Sequence, residues 1–359
     1  MAETPKPDVI ASVMRATKPD FTDIDPADIA RFLAQQPDIA GPVEIANVRG
    51  GGANAGASSG VVVFDAILEG KVEPLVLRYA PLRNEGRIFF DYGIRQQYEL
   101  QARLADAGLA VPRARWIDPD GAVLGLPGFI MEKVEGDVAH ASPFSAGLIG
   151  DAAPDVRERR IASIFRALGS VHGADWQGSA VASCVRQAAG RTHFERYINW
   201  YWETVEWVQP PHRERLERLR SWLFANQPDI HHDDLALIHG DPSLGNYMLE
   251  GDEVRAIIDW ELAGIVAPAY DIAMQCMANS YYRAVSAPEV AARIPDDASW
   301  VAHYESVTGR RVEHFEFFRR AVTLPLLVVQ LSMSRNFPDG LRDEFLAGME
   351  AIWAVGEGR

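Results

Sequence analysis

Cysteine is nearly absent from this chain: Cys184 and Cys276 stand far apart and outside any C-x-x-C spacing, so neither a disulfide framework nor a cysteine zinc site can be built. Basic residues are also in short supply. Lys and Arg total 35 against 50 Asp and Glu, a formal net charge of -15, and no basic block offsets the excess. Nucleic acid and anionic membrane are therefore poor partners. Long apolar runs are missing too. The longest uncharged stretch, Leu324 to Met333, is interrupted by Pro325, Gln330 and Ser332 and amounts to about half a bilayer span. Acidic residues and prolines occupy Met1 to Asp8, where a secretion signal needs a basic start and an apolar run. A soluble, cytoplasmic protein is expected. What is present is a globular composition, 48% hydrophobic and 24% charged over 359 residues, enough for two lobes or one large domain.

The first 40 residues are polar and punctuated by proline, with one helix expected from Pro26 to Gln35 under an Asp25 cap, and the folded body expected from about Val43. Three strand-like runs follow, Val43 to Val48, Gly60 to Leu68 and Pro74 to Tyr79, the last two joined by Glu69-Gly70-Lys71. A helix is expected from about Phe90 to Ala107, and Pro112 to Trp116 and Gly128 to Val134 complete a five-stranded antiparallel sheet. After Gly136 long helical patterns take over, including Arg157 to His172, His193 to Val208 and His212 to Ala225. The expected limits are an extension over 1–40, a sheet lobe over 41–132 and a mainly helical lobe over 133–359, an α+β architecture.

A strand-like interlude from Leu235 to Asp259 carries the chemistry. Glu250-Gly251-Asp252-Glu253 between two apolar runs reads as a hairpin turn, so Tyr247 to Leu249 should pair with Val254 to Ile258. Closing that hairpin sets Asn246 and Asp259 side by side, with Cα atoms roughly 5 Å apart. An amide oxygen beside a carboxylate makes a hard-oxygen site suited to Mg2+. Asp241, at the end of the preceding apolar run, is left to orient an attacking hydroxyl or take its proton. Asp, Asn and Gly abound in turns, and a lone His-Gly-Asp says little. The joint pattern says more: Asn246 lies five residues after Asp241, the spacing of the H-R-D-x-x-x-x-N loop, Asp259 ends the next hairpin, and a glycine-rich loop precedes both.

With those residues in hand, the chain resembles the aminoglycoside phosphotransferase-like kinases, relatives of the protein kinase fold that phosphorylate hydroxyls of small molecules. The resemblance runs from about Val43 to the C-terminal helices and is strongest from His239 to Glu261, where Asp259-Trp260-Glu261 stands in the place of Asp-Phe-Gly. It implies a two-lobe fold, Asp241 as catalytic base, Asn246 and Asp259 as Mg2+ ligands, and His239 as a loop-positioning residue. Gly50 to Asn54, which include Gly51, Gly52, Ala53 and Asn54, resemble the family's Gly-Gly-x-Ser-Asn turn over the phosphates, with Ala53 in the usual serine position. Arg78 stands where the family's strand has lysine, and Glu99, in Gln97-Tyr98-Glu99-Leu100, is implied as its ion-pair partner. Met131, Glu132 and Val134 fall in the hinge that would hold a nucleotide base, with ATP expected and GTP left open.

Other features carry less. Asp271 matches a position that recurs in the family after the metal-binding loop and reads as easily as a helix N-cap, with no catalytic role assigned; His172 reads as a hydrogen-bonded core histidine, and His231-His232-Asp233-Asp234 as a solvated loop. Trp200, Glu203 and Trp207 form a helical stripe that either receives a cationic amine or packs beneath later helices. The acceptor is left open among aminoglycoside-like, amino alcohol and hydroxyacyl compounds, and the oligomeric state is left open as well. A nucleotide-binding scaffold without transfer is the competing reading, prompted by Arg78 and Ala53.

Overall fold

The structure, a computed structural model, describes residues 24–50, 58–81, 87–178 and 180–359. Five antiparallel strands form the first part: β1 (Val43–Gly50), β2 (Gly60–Leu68), β3 (Lys71–Tyr79), β4 (Ala114–Asp118) and β5 (Gly128–Glu132), in the order β1-β2-β3-β5-β4. The β2–β3 connection is the two-residue turn Glu69-Gly70, both at positive φ, which matches the twist of the flanking strands. Along β2 burial alternates strictly, so Val62, Phe64, Ala66 and Leu68 face one core.

That core is closed by α1 (Pro26–Leu33). Asp25 Oδ1 caps it by accepting from Ala27 N at 2.9 Å, and Ile29, Phe32 and Leu33 sit among Phe64, Leu75, Leu77 and Ile130. Trp116 Nε1 donates to Asp38 Oδ1 at 2.8 Å and ties down the connection that follows. The folded body thus begins before Val43. On the opposite face, α2 (Ile94–Asp106) sets Tyr98 against Phe129 and donates from Gln101 Nε2 to Met131 Sδ at 3.4 Å.

The second part is mainly helical. Strand β6 (Asp137–Val138) joins β8 (Tyr247–Glu250) and β9 (Glu253–Ile257), while β7 (Ala236–Ile238) pairs with β10 (Gly264–Val266). Around these small sheets lie α3 (Pro154–His172), α4 (His193–Val208), α5 (Arg213–Asn226), α6 (Ala269–Val285), α7 (Asp297–Thr308), α8 (Phe315–Ala321), α9 (Thr323–Ser334), α10 (Asp339–Gly348) and α11 (Glu350–Glu357). Helix α6 is buried without a break from Ala269 to Met277 and serves two clusters at once: Tyr270, Ala273 and Met277 join α4 and α9, and Ile272 and Cys276 join α3 and α7. The apolar stretch from Leu324 falls on α9 inside the first of these clusters. Among the described residues no helix is long and apolar enough to cross a membrane. Both cysteines are free and buried.

Because Phe32 is 4% exposed and fills the space beneath β2 and β3, Phe32→Ala is expected to cost about 3–5 kcal/mol in urea denaturation. A loss within experimental error of zero would mean that α1 adds nothing to the sheet core.

Candidate functional site

The hairpin closes between the expected strands, with a bulge where Met248 faces Ala256 and Leu249 faces Val254. Tyr247 is paired with Ile257, Gly251 takes φ +63 in the turn, and Ile258 N donates to Asn246 O at 2.9 Å. Asn246 and Asp259 are therefore neighbours at the open end of one hairpin. Asn246 Nδ2 donates to Asp241 O at 2.9 Å and to Asp241 Oδ2 at 3.2 Å. Its own Oδ1 has no hydrogen-bonding partner among the described residues, and neither has Asp259 Oδ2. Two oxygen donors left open beside each other are chemically suited to a hard divalent cation. Asp259 itself sits at φ +70, a left-handed conformation that Asp adopts more readily than bulkier side chains.

Asp241 is half-buried and held by its own loop. Oδ1 accepts from Ser243 N at 3.3 Å and from the Ser243 hydroxyl, so the carboxylate is oriented from both sides. The loop in turn hangs on Asp271, whose side chain is fully buried. Oδ2 accepts from His239 N at 2.8 Å, Oδ1 from Gly240 N at 2.9 Å, and His172 Nε2 lies 3.1 Å from Oδ2. His172 Nδ1 reaches Tyr304 Oη at 2.7 Å, which completes a buried chain. His239 Nε2 lies 2.9 Å from Ile258 O; a carbonyl only accepts, so Nε2 carries the proton and Nδ1 accepts from Asp241 N at 3.3 Å. One imidazole thereby couples the His239–Asn246 loop to the β8–β9 hairpin. Gly240 has φ +85, and a Cβ there would come within 2.0 Å of Leu262 O, so no other residue fits this turn.

Arg78, on β3, is buried and surrounded. Its Nε donates to Gln97 Oε1 at 2.9 Å, and its Nη2 to Asp259 Oδ1 at 2.6 Å and Glu261 Oε2 at 2.8 Å. Burial opposes its charge, but the two carboxylates outweigh that and hold its pKa above the ordinary value. Glu261 moves upward as well: burial comes first, the Asp259 charge adds to it, and Arg78 with the serine hydroxyls opposes. The Ser58 hydroxyl donates to Glu261 Oε1 and Ser59 Oγ to Oε2 at 3.1 Å.

The expected Arg78–Glu99 ion pair is not formed. Residues 97 and 99 point about 200° apart around α2, so the helix that brings Gln97 to Arg78 turns Glu99 away, and Glu99 Oε2 instead lies 3.8 Å from Cys184 Sγ. Glu261, Gln97, Ser58 and Ser59 went unassigned in the sequence; the signal for the first was a carboxylate standing where Asp-Phe-Gly has glycine. Gly51, Gly52, Ala53 and Asn54 lie outside the described residues. Met131 ends up in the interior of the sheet, Glu132 N donates to Arg113 O at 3.0 Å, Lys133 N to Pro74 O at 3.2 Å, and Val134 is half-buried beyond β5. Asp271 is not an N-cap but lies within the first turn of α6.

The indoles on α4 are already occupied. Arg186 sits 4.9 Å over Trp200, and Arg87 and Arg335 lie 5.9 and 4.4 Å over Trp207. Glu203 is exposed beside them, and burial and Asp91 push its carboxyl upward. The stripe packs with arginines rather than forming an empty cation cage. His231 and His232 are exposed, and among the described residues no group of three His, Cys, Asp or Glu side chains could hold a metal ion.

Comparison with known proteins places these features in a family. A family model described as "Phosphotransferase enzyme family" matches residues 67–309. Acyl-CoA dehydrogenase family member 10 of Mus musculus is 28% identical over 199 residues, which are 55% of this chain but only 18% of that protein. The chain thus spans less than a quarter of the length of the curated relatives it matches. A solved protein of Ralstonia eutropha JMP134, provisionally named an aminoglycoside phosphotransferase, superposes with a TM-score of 0.67 at 21% identity, covering 93% of this chain and 96% of that one. Amicoumacin kinase, solved in complex with AMP-PNP, Ca2+ and Ami, gives a TM-score of 0.57 at 16% identity over 87% of this chain and 88% of its own. At those identities the likeness shows the fold.

Asp271→Ala would strand the His239 and Gly240 N–H groups in a buried site, and a stability loss of at least about 3 kcal/mol is expected in denaturant melts. Unchanged stability would mean that the loop carrying Asp241 is held by other contacts.

Proposed function

The chain belongs to the phosphotransferase enzyme family, and from that premise we propose that it is an ATP- and Mg2+-dependent kinase that phosphorylates a hydroxyl group of a small molecule. The observation that carries this reading is the convergence of Asp241, Asn246 and Asp259, joined by Asn246 Nδ2 and by the closed hairpin. In this reading the part over 41–132 covers the nucleotide and the part over 133–359 supplies the catalytic loop.

Asp241 orients the acceptor hydroxyl and takes its proton as the oxygen attacks the terminal phosphorus. Asn246 keeps that carboxylate in place through Nδ2, while its Oδ1 and Asp259 would hold the magnesium ion. Magnesium, when bound, draws charge from the phosphate oxygens as the phosphoryl group moves. Arg78 would contact phosphate from the roof of the cleft, and Met131, Glu132 and Val134 would border the base. Phosphoryl transfer of this kind depends on position and charge more than on covalent help from the protein, which suits a site built of fixed oxygen donors.

Among acceptor classes, a hydroxyacyl thioester is favoured over an amino sugar or amino alcohol. The indole faces that an ammonium would seek are covered by Arg87, Arg186 and Arg335; Arg186 is already paired with Asp91 at 2.9 Å, and the guanidinium groups of Arg87 and Arg335 suit anionic substituents better. The name of the matched relatives, acyl-CoA dehydrogenase family members, points in the same direction. A screen of hydroxyacyl thioesters, amino alcohols and amino sugars with labelled ATP tests the choice.

Asp241→Ala should lower transfer about 10²- to 10⁴-fold while the melting-temperature increase given by AMP-PNP with Mg2+ persists. Turnover retained in that variant would take Asp241 out of its role, and nucleotide binding without transfer to any acceptor in the wild type would favour a scaffold.

A further inference from the structure

We propose that Glu261 is the positioning residue of the phosphate clamp, doing for Arg78 what a helix carboxylate does for the strand lysine of protein kinases, and that through Ser58 and Ser59 it also fastens the chain where the glycine-rich segment enters β2. The inference rests on the phosphotransferase reading. It adds a residue and a linkage to that reading.

The geometry of one guanidinium carries the argument. Arg78 and Glu261 side chains are only 7% and 8% exposed, so their pairing stands only if the polar atoms are satisfied. Both Glu261 oxygens are engaged: Oε1 with the Ser58 hydroxyl, Oε2 with Ser59 Oγ at 3.1 Å and Arg78 Nη2 at 2.8 Å. The guanidinium is planar, so fixing Nε on Gln97 and Nη2 on Glu261 also fixes the direction of Nη1. Nη1 has no hydrogen-bonding partner among the described residues. It is the donor left for an incoming phosphate.

Gln97 cannot supply this hold by itself, because an amide brings no opposing charge. Asp259 supplies charge at 2.6 Å, but as a proposed magnesium ligand it must share its carboxylate with the cation. Glu261 is the carboxylate whose oxygens are already committed to the protein. Ser58 and Ser59, separated from it by 203 and 202 residues of sequence, make the same carboxylate a tie between the β2 strand end and the loop after β9. Loss of Glu261 would therefore loosen the phosphate donor and the end of the glycine-rich segment together.

Isothermal titration of AMP-PNP with Mg2+ against the wild type, Glu261→Gln, Ser58→Ala/Ser59→Ala and Glu99→Gln tests the proposal without any acceptor. Glu261→Gln should weaken AMP-PNP at least about tenfold and leave adenosine affinity unchanged, since the lost contact faces phosphate. The double serine variant, which keeps every charge and guards against a misfolded Glu261→Gln, should weaken AMP-PNP about three- to tenfold. Glu99→Gln should stay within about twofold of the wild type. The proposal is overturned if Glu99→Gln shows the loss instead, if AMP-PNP and adenosine weaken equally, or if tenfold more magnesium restores Glu261→Gln, which would make Glu261 a metal ligand. A wild type that binds adenosine but not AMP-PNP, or neither, would remove the kinase reading and this inference with it.

Discussion

One backbone hydrogen bond, from Ile258 N to Asn246 O, sets the terms for the whole site. It is the last rung of the β8–β9 hairpin, and it brings an amide that precedes one strand beside a carboxylate that follows the other. Strand side chains alternate between faces, so a slip of one residue would turn the buried Tyr247 and Ile257 outward. The hydrophobic pattern that keeps these residues in the core is thus what fixes the pair of oxygen donors. His239 extends this constraint to the neighbouring loop by bonding Ile258 O with one nitrogen and Asp241 N with the other.

Three inward-facing carboxylates divide the remaining labour. Asp271 meets backbone N–H groups and a histidine, and it serves as a fixed post from which the loop carrying Asp241 hangs. Asp259 and Glu261 meet one arginine, an arrangement with more negative than positive charge. Burial and mutual repulsion raise Glu261 accordingly, and the surplus charge near Asp259 is what a divalent cation would neutralise. Replacement of the family's lysine by Arg78 fits this surplus, because a guanidinium reaches Gln97, Asp259 and Glu261 at once where an ammonium acts as a single point of charge.

Much of this was legible in the sequence. Strand β2 begins and ends where its alternation says, α4 runs over its periodic residues, and the Glu-Gly-Asp-Glu turn gave away the hairpin. Local pattern has a short reach, however. The placement of β5 between β3 and β4 depends on pairing that spans some 50 residues, and the docking of α1 under the sheet depends on burial of Ile29 and Phe32 against partners far along the chain. The family signature points to Glu99, but helical geometry decides: of residues 97 and 99, it is 97 that faces Arg78 on β3. Asp271 illustrates the same limit, since a capping residue and a post for a distant loop look alike until β7 is brought against α6.

The most direct test is a crystal structure with Mn2+ and AMP-PNP, using the anomalous signal of the ion to place it. The account predicts Mn2+ bound through Asn246 Oδ1 and Asp259, with a phosphate oxygen within hydrogen-bonding distance of Arg78. An ion seated away from both residues, or a nucleotide bound with Asn246 and Asp259 uninvolved, would contradict it.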